Sequence, residues 1–298
     1  MYIGAIEAGG TKIVCGIGNE QGEIIDRVSF PTLQPSETLP RIVEYFRGKE
    51  LKSIGVGTFG PINIDKSSPE YGYVTTTPKP GWSNYPFLGE LKKAFDLPFG
   101  WDTDVNAAAL GEAKWGAAKG LDSCLYYTVG TGIGVGVYAE QRLIHGFMHP
   151  EGGHVLVRRH AEDHYEGFCP YHNDCLEGLA AGPALEKRWG VKGAELGADH
   201  PAWAMEAYYI GQALSQAILL LAPKKIILGG GVMHQEQLFP LIRQEVQRTL
   251  NGYVNVPQLA GGIDSYIVPP GLGDNAGLSG AVALGINALQ EFAGQRNS

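Results

Sequence analysis

The sequence predicts a duplicated α/β fold of two domains with a cleft between the copies, and three observations predict it. A strand, a Gly/Thr turn and a second strand open the chain, and the same order recurs from Ser123. Strand-like runs alternate with helical spacings through both halves. With 298 residues, 44% of them hydrophobic and 18% charged, the chain suits a soluble globular protein of about two domains.

The elements follow in order. Met1 to Ala8, Thr11 to Gly18 and Glu23 to Phe30 read as a three-strand meander whose first turn is Gly9-Gly10. Ser36 to Phe46 has helical spacing, and Ser53 to Gly57 and Pro98 to Asp102 are strands. Pro69 to Pro86, rich in Thr, Pro and Gly, reads as an ordered loop over the cleft or a plain surface connection. A helix runs from Val105 to about Ala118, followed by strands at Ser123 to Val129 and Val135 to Ala139 around Gly130-Thr-Gly-Ile-Gly134. Trp203 to Leu221 is a long apolar helix, Lys225 to Leu228 a short buried strand, Gln235 to Leu250 a helix, and Gly277 to Phe292 the last. The expected domains are 1–117 and 118–279, with a closing helix about 280–298 packing back on the first.

Net charge is −8 with no long basic run, which argues against nucleic acid or an anionic membrane as partner. The longest apolar run, Ala217 to Pro223, is too short to cross a bilayer. The opening lacks the basic stretch of a signal peptide. Four cysteines make no disulfide framework; Cys15 and Cys124 read as small core residues, and a reducing, cytoplasmic setting is expected.

Glu151-Gly-Gly-His154 followed by Cys169-Pro-Tyr-His172-Asn-Asp-Cys175-Leu-Glu177 carries the strongest chemistry. Cys169, His172 and Cys175 are three apart, so one tight loop can aim all three at a point that His154 closes as a fourth corner. The alternative is two buried thiols beside unrelated histidines. Four protein ligands leave no open position, so the zinc would be structural, holding Glu151, His154 and Glu177 in a polyol pocket. Gly9-Gly10-Thr11-Lys12 and Gly130-Thr131-Gly132 can bring backbone amides against a polyphosphate, although glycine-rich hairpins also arise for conformational reasons alone. Neither is a Walker loop or a dinucleotide fingerprint, since a strand follows each. Asp104 stands where a strand meets a helix, as an N-cap or as a base for a substrate hydroxyl. Asn106 can donate to a sugar oxygen, Glu7 can hold magnesium through water, and Lys12 can meet a phosphate or point to solvent. Gly229-Gly230-Gly231 and Gly271 to Gly277 are turns that can flank a nucleoside or simply join strand to helix.

Together, Glu7-Ala-Gly-Gly-Thr-Lys12, Gly57-Thr-Phe-Gly-Pro61, Asp102 to Glu112, Thr128 to Gly134, Glu151-Gly-Gly-His154, the Cys/His loop and Leu228-Gly-Gly-Gly-Val232 resemble the family of repressors, open reading frames and kinases (ROK) over essentially the whole chain. The resemblance implies the actin-like ATPase (ribonuclease H-like) fold, sugar phosphorylation with ATP and Mg2+, and a homodimer. It makes Asp104 the general base and gives Gly60, Asn106, Glu151, His154 and Glu177 to the sugar. It gives Gly9 to Lys12 and Gly130 to Gly132 to the phosphates, and Gly229 to Gly231 to the nucleoside. Thr103 stands where glucose-type members carry Asn, and with Pro78-Lys-Pro-Gly-Trp82 it resembles the fructokinase branch. The Cys-x-x-His-x-x-Cys loop departs from the commoner three-cysteine pattern but still suits zinc. Repressor members carry an N-terminal helix-turn-helix, whereas the catalytic fold here is expected to open at residue 1. Fructose phosphorylation is the first reading. Rivals are another hexose (mannose or glucose), a non-catalytic sugar sensor, and a zinc hydrolase, which four protein ligands disfavour.

Overall fold

The computed structural model describes residues 1–296. In chain order the strands and helices are β1 (Ile3–Ala8), β2 (Lys12–Gly18), β3 (Ile24–Pro31), α1 (Pro35–Phe46), β4 (Ile54–Thr58), α2 (Phe87–Ala94), β5 (Phe99–Thr103) and α3 (Asp104–Trp115). There follow β6 (Cys124–Val129), β7 (Ile133–Ala139), β8 (Arg142–Leu143), α4 (Leu176–Ala180), α5 (Gly182–Trp189) and α6 (Ala202–Leu221). The chain closes with β9 (Ile226–Gly229), α7 (Leu238–Leu250), α8 (Pro257–Ala260), α9 (Ile263–Tyr266), β10 (Ile267–Val268) and α10 (Ala276–Arg296). Residues 297–298 of the expected closing helix lie outside the described residues.

Two compact units divide the chain. The first comprises Met1–Asp122, Gly136–Pro150 and the segment from Gly271; the second comprises Ser123–Val135 and Glu151–Pro270. In the first unit the sheet runs β3-β2-β1-β4-β5, with β3, β2 and β1 antiparallel and β1, β4 and β5 parallel. The second sheet runs β10-β9-β6-β7-β8. Reading β6 to β10 as copies of β1 to β5 gives the same order, so the repeat seen in the sequence is a repeat of topology. Both sheets place a Gly/Thr turn between their first two strands.

The apolar alternation along β1, β2 and β4 builds the first unit's core, in which Ile6, Ile13, Ile54, Val56, Phe87 and Trp82 are buried. On the other face, α10 lays Leu278, Val282 and Ile286 against Ile3, Ala5 and Val14. A Cβ on Gly280 would stand 1.7 Å from the Ala107 carbonyl oxygen of α3. That close approach sets α3, and with it the residues at its start, rigidly against α10. In the second unit α6 buries Trp203, Tyr209, Ile210 and Leu214.

Most expected elements form within one to three residues of their anticipated limits. The helix expected from Gln235 starts at Leu238, because Gly231–His234 forms a 3-10 turn first. Helices α2, α4 and α5 were not anticipated. They span five to eight residues, too few for a helical period to stand out against the loops that flank them. None of the four cysteines forms a disulfide, and all four are buried. Among the described residues no helix is long and apolar enough to cross a membrane.

Candidate active site and metal centre

In the first unit β5 ends at Thr103, whose extended backbone makes it the N-cap of α3: its Oγ1 accepts the Asn106 N–H at 3.1 Å. The cap alternative for Asp104 is therefore taken by its neighbour. Asp104 becomes the first helical residue, half-buried, and its Oδ1 accepts the Val105 N–H at 2.9 Å. Burial raises its carboxyl to about 6, while backbone N–H groups and the Lys79 ammonium act to lower it. Burial likewise raises Glu7 at the end of β1 to about 7, with Asp104 and Asp274 pushing the same way and Lys12 and Arg27 opposing. Asp104 and Asp274 thus each lie close enough for their charge to act on Glu7. Glu7 offers a hard oxygen donor whose buried charge a cation would offset, which suits Mg2+.

Asn106 turns inward. It is fully buried, its Nδ2 donating to Asp102 Oδ1 at 2.7 Å and its Oδ1 accepting the Val137 N–H at 3.3 Å. Asp102 also accepts the Thr103 N–H at 2.8 Å, and its Oδ2 pairs with His145 Nε2 at 2.8 Å. The hydrogen bond to Asp102 raises the His145 pKa. This network fixes the backbone on both sides of Asp104. At the first glycine turn Gly9 N–H donates to Lys12 O at 2.9 Å, and Thr32 Oγ1 donates to Gly9 O at 2.7 Å. Thr11 and Lys12 are exposed, Gly10 carries Lys79 on its carbonyl, and Gly60 lies half-buried just beyond β4.

In the second unit His154, Cys169, His172 and Cys175 gather so that one ligand atom from each lies within 4.8 Å of all the others. His154 Nδ1 is 3.4 Å from Cys175 Sγ and 3.7 Å from Cys169 Sγ, and His172 Nδ1 is 3.6 Å from Cys169 Sγ. Tetrahedral bonds of about 2.3 Å to sulfur and about 2.0 Å to nitrogen place neighbouring ligand atoms about 3.5 Å apart. The quartet is therefore able to hold zinc. Burial, the largest cause, and Cys169 push the Cys175 thiol to about 12, so a Lewis acid is what would make it a thiolate. The loop is shaped by paired backbone bonds between Cys169 and Asn173 and by Leu176 N–H donating to Val155 O at 3.0 Å. Gly153 is required beside His154: a Cβ there would lie 1.7 Å from the Ile133 carbonyl oxygen. Glu151, half-buried, accepts the His154 N–H on its carbonyl at 3.0 Å.

Two residues beyond Cys175, Glu177 accepts the Ile133 N–H on Oε2 at 2.9 Å, beside the turn of Gly130, Thr131 and Gly132. Gly130 O accepts the Gly182 N–H at 2.7 Å and Gly130 N–H donates to Gly132 O at 2.9 Å. Gly229 ends β9, Gly230 takes φ +91°, and exposed Gly231 has open space where a side chain would be.

Sequence reasoning passed over three participants. Asp102 lies inside a motif without a local sign of its role. Lys79, in the Pro78 to Trp82 run, has its partner Gly10 69 residues away. Glu112, fully buried, accepts N–H groups from Ala117, Gly271 and Leu272 at 2.6 to 3.0 Å, pinning the start of the closing segment. A carboxylate in the otherwise apolar and small Ala107 to Ala113 run was the available signal.

A fructokinase of Pediococcus pentosaceus is 49% identical over 290 residues, covering 97% of this chain and 99% of its own. A fructokinase of Streptococcus mutans is 45% identical over 291 residues, covering 96% of both. The crystal structure of a ROK family glucokinase from Streptomyces griseus, in complex with glucose and AMPPNP, superposes with a TM-score of 0.74 at 25% identity, covering 96% of this chain and 100% of that one. The ROK family's sequence profile matches residues 3–288, and the chain belongs to the ROK family.

Proposed function

We propose that the protein is an ATP-dependent fructokinase that converts D-fructose to fructose 6-phosphate, with Asp104 as general base. The observation that carries this is the placement of Asp104 at the start of α3. Its carboxyl is raised to about 6, and Lys79, one of the charges acting on it, reaches the first glycine turn. Such a carboxylate is ionised at neutral pH yet basic enough to accept a proton as it becomes acidic. The 6-hydroxyl oxygen attacks the γ-phosphorus, its proton passes to Asp104, and the bridging bond breaks with its electron pair left on ADP. In this reading Glu151, His154 and Glu177 hold the sugar hydroxyls, and Gly60 approaches the sugar through its backbone. Thr103 shapes the pocket through the cap it makes, and Asn106 acts from behind through Asp102. Gly9 to Lys12 and Gly130 to Gly132 line the phosphates, and Gly229 to Gly231 the nucleoside.

Glu7 would hold Mg2+, which when bound neutralises charge on the phosphate oxygens. His154, Cys169, His172 and Cys175 would hold Zn2+, which when bound fixes the loop carrying His154 and Glu177. A homodimer completes the reading and would appear as twice the 32.0 kDa chain mass in light scattering.

The test is ATP consumption with fructose, mannose and glucose, compared as kcat/KM. Fructose should lead by about tenfold or more, the scale of one lost polar contact. Equal values for all three hexoses would replace fructokinase by a general hexokinase, and no consumption with any sugar would favour a sensor.

A further inference from the structure

We propose that Lys79 is a catalytic residue of this reaction, its ammonium moving from the Gly10 carbonyl onto a non-bridging oxygen of the γ-phosphoryl group as that group is transferred. The inference rests on the kinase reading above. Lys79 Nζ lies 3.0 Å from Gly10 O, inside the turn expected to cradle the phosphates. It also stands 4.9 Å over the ring of Phe59, and its charge acts on the Asp104 carboxyl.

The chain invests in holding it there. Pro78 and Pro80 flank Lys79 and restrict its backbone. The loop is anchored by Trp82, 1% exposed, whose Nε1–H donates to Leu33 O at 2.8 Å and whose N–H donates to Lys79 O at 3.1 Å. Trp82 stacks edge-on against Phe59, Tyr85 and Phe87 at 5.0 to 5.4 Å. A surface lysine needs no such mounting. Phosphoryl transfer is accelerated mainly by positioned positive charge on the equatorial oxygens, and an ammonium mounted over the turn has only to exchange the Gly10 carbonyl for a phosphoryl oxygen to supply it. No proton leaves Lys79. The sugar oxygen bonds to the γ-phosphorus, the bridging oxygen departs with ADP, and the hydroxyl proton goes to Asp104.

The charge also sets when the base works. The ionisable groups identified as acting on or being acted on by Asp104 are Lys79 from the loop and Glu7 from β1, with Lys12, Arg27 and Asp274 acting in turn on Glu7. Lys79 favours the Asp104 carboxylate, so removing it raises the pH at which Asp104 loses its proton. The experiment compares Lys79→Met, Lys79→Arg and Asp104→Asn in the full chain. Lys79→Met should lower kcat on the order of 100-fold, as loss of one preorganised charge does. KM for fructose should stay within about threefold, and the acid limb of kcat should move to higher pH. Lys79→Arg should recover most of the turnover and return the limb. A Lys79→Met enzyme near wild-type kcat, or one with a poorer KM for fructose, a lower Tm and an unmoved limb, overturns the proposal and leaves Lys79 a loop anchor. If Lys79→Met does not fold, a Lys79→Arg enzyme with an unrestored kcat does the same. Wild-type turnover separates the two claims: no ATP consumption with any sugar removes the kinase reading, whereas wild-type turnover beside a near-normal Lys79→Met removes only this inference, and full turnover of Asp104→Asn moves the base elsewhere.

Discussion

The turns Gly9-Gly10-Thr11 and Gly130-Thr131-Gly132 occupy equivalent places in two sheets of the same order, yet opposite charges stand beside them. At the first, Lys79 hydrogen-bonds Gly10 O, and Glu7 and Asp104 lie near with raised carboxyls. At the second, Glu177 accepts the Ile133 N–H from a helix that starts directly after Cys175. Duplication supplies the backbone twice, and flanking side chains then divide the labour. The first unit gathers groups that titrate and move charge. The second gathers Cys and His side chains able to hold a metal ion.

The sharpest way to break this division is Asp104→Asn. The side chain keeps its shape and its acceptor for the Val105 N–H but cannot take a proton. Turnover should fall on the order of 1,000-fold, with fructose affinity unchanged by titration calorimetry. A kcat near wild type would move the base elsewhere.

Cys175→Ser tests the other half. Zinc content should fall from about one per chain, and fructose affinity should weaken roughly 10- to 100-fold, with kcat at saturating sugar much less affected. Full sugar affinity in protein shown metal-free by elemental analysis would end the claim that the quartet positions Glu177.

How much of this the sequence could tell follows from distance along the chain. Cys169, His172 and Cys175 sit within seven residues, and their convergence was readable because a tight loop leaves few other arrangements. The strand order of both sheets was legible only as a repeat of strand, turn and strand. The role of Thr103 as cap was missed because Asp104 caps equally well by type, and only backbone geometry decides. Lys79 was unreadable because its partner Gly10 lies 69 residues away, and the link of Glu177 to Ile133 spans 44. Local pattern carries elements and loops. Long-range polar contacts, on which the difference between the two turns depends, leave no period in the chain.

The two turns can be challenged with one and the same substitution. A Cβ on Gly10 would lie 2.8 Å from Lys79 Nζ, whereas one on Gly132 would lie 2.6 Å from Glu177 Oε2. Each obstacle is the far end of a side chain, so the fold survives while a single charged contact is displaced. Losing one such contact is worth about tenfold. Gly10→Ala should lower kcat by about that factor, and Gly132→Ala should raise KM for fructose instead. Identical kinetic signatures in the two variants would erase the division of labour.

The smallest expected effect concerns stability. Glu7 titrates near 7 in the folded chain, above the ordinary glutamate value of about 4.5, because burial and then Asp104 disfavour its charge. The folded state therefore holds this proton more tightly than the unfolded one. Stability falls as pH rises from about 4.5 to about 7 and carries the full penalty above that. Glu7→Gln has no proton to lose and escapes the penalty. Its Tm should match wild type near pH 4.5 and exceed it by roughly 5–10 °C at pH 8 without added metal. Millimolar Mg2+ should then raise the wild-type Tm at pH 8 and leave the variant where it is, because only the wild type has the carboxylate to bind it. Parallel Tm curves for the two proteins across this range would show that Glu7 is an ordinary carboxylate, and the first turn would lose its distinguishing cation site.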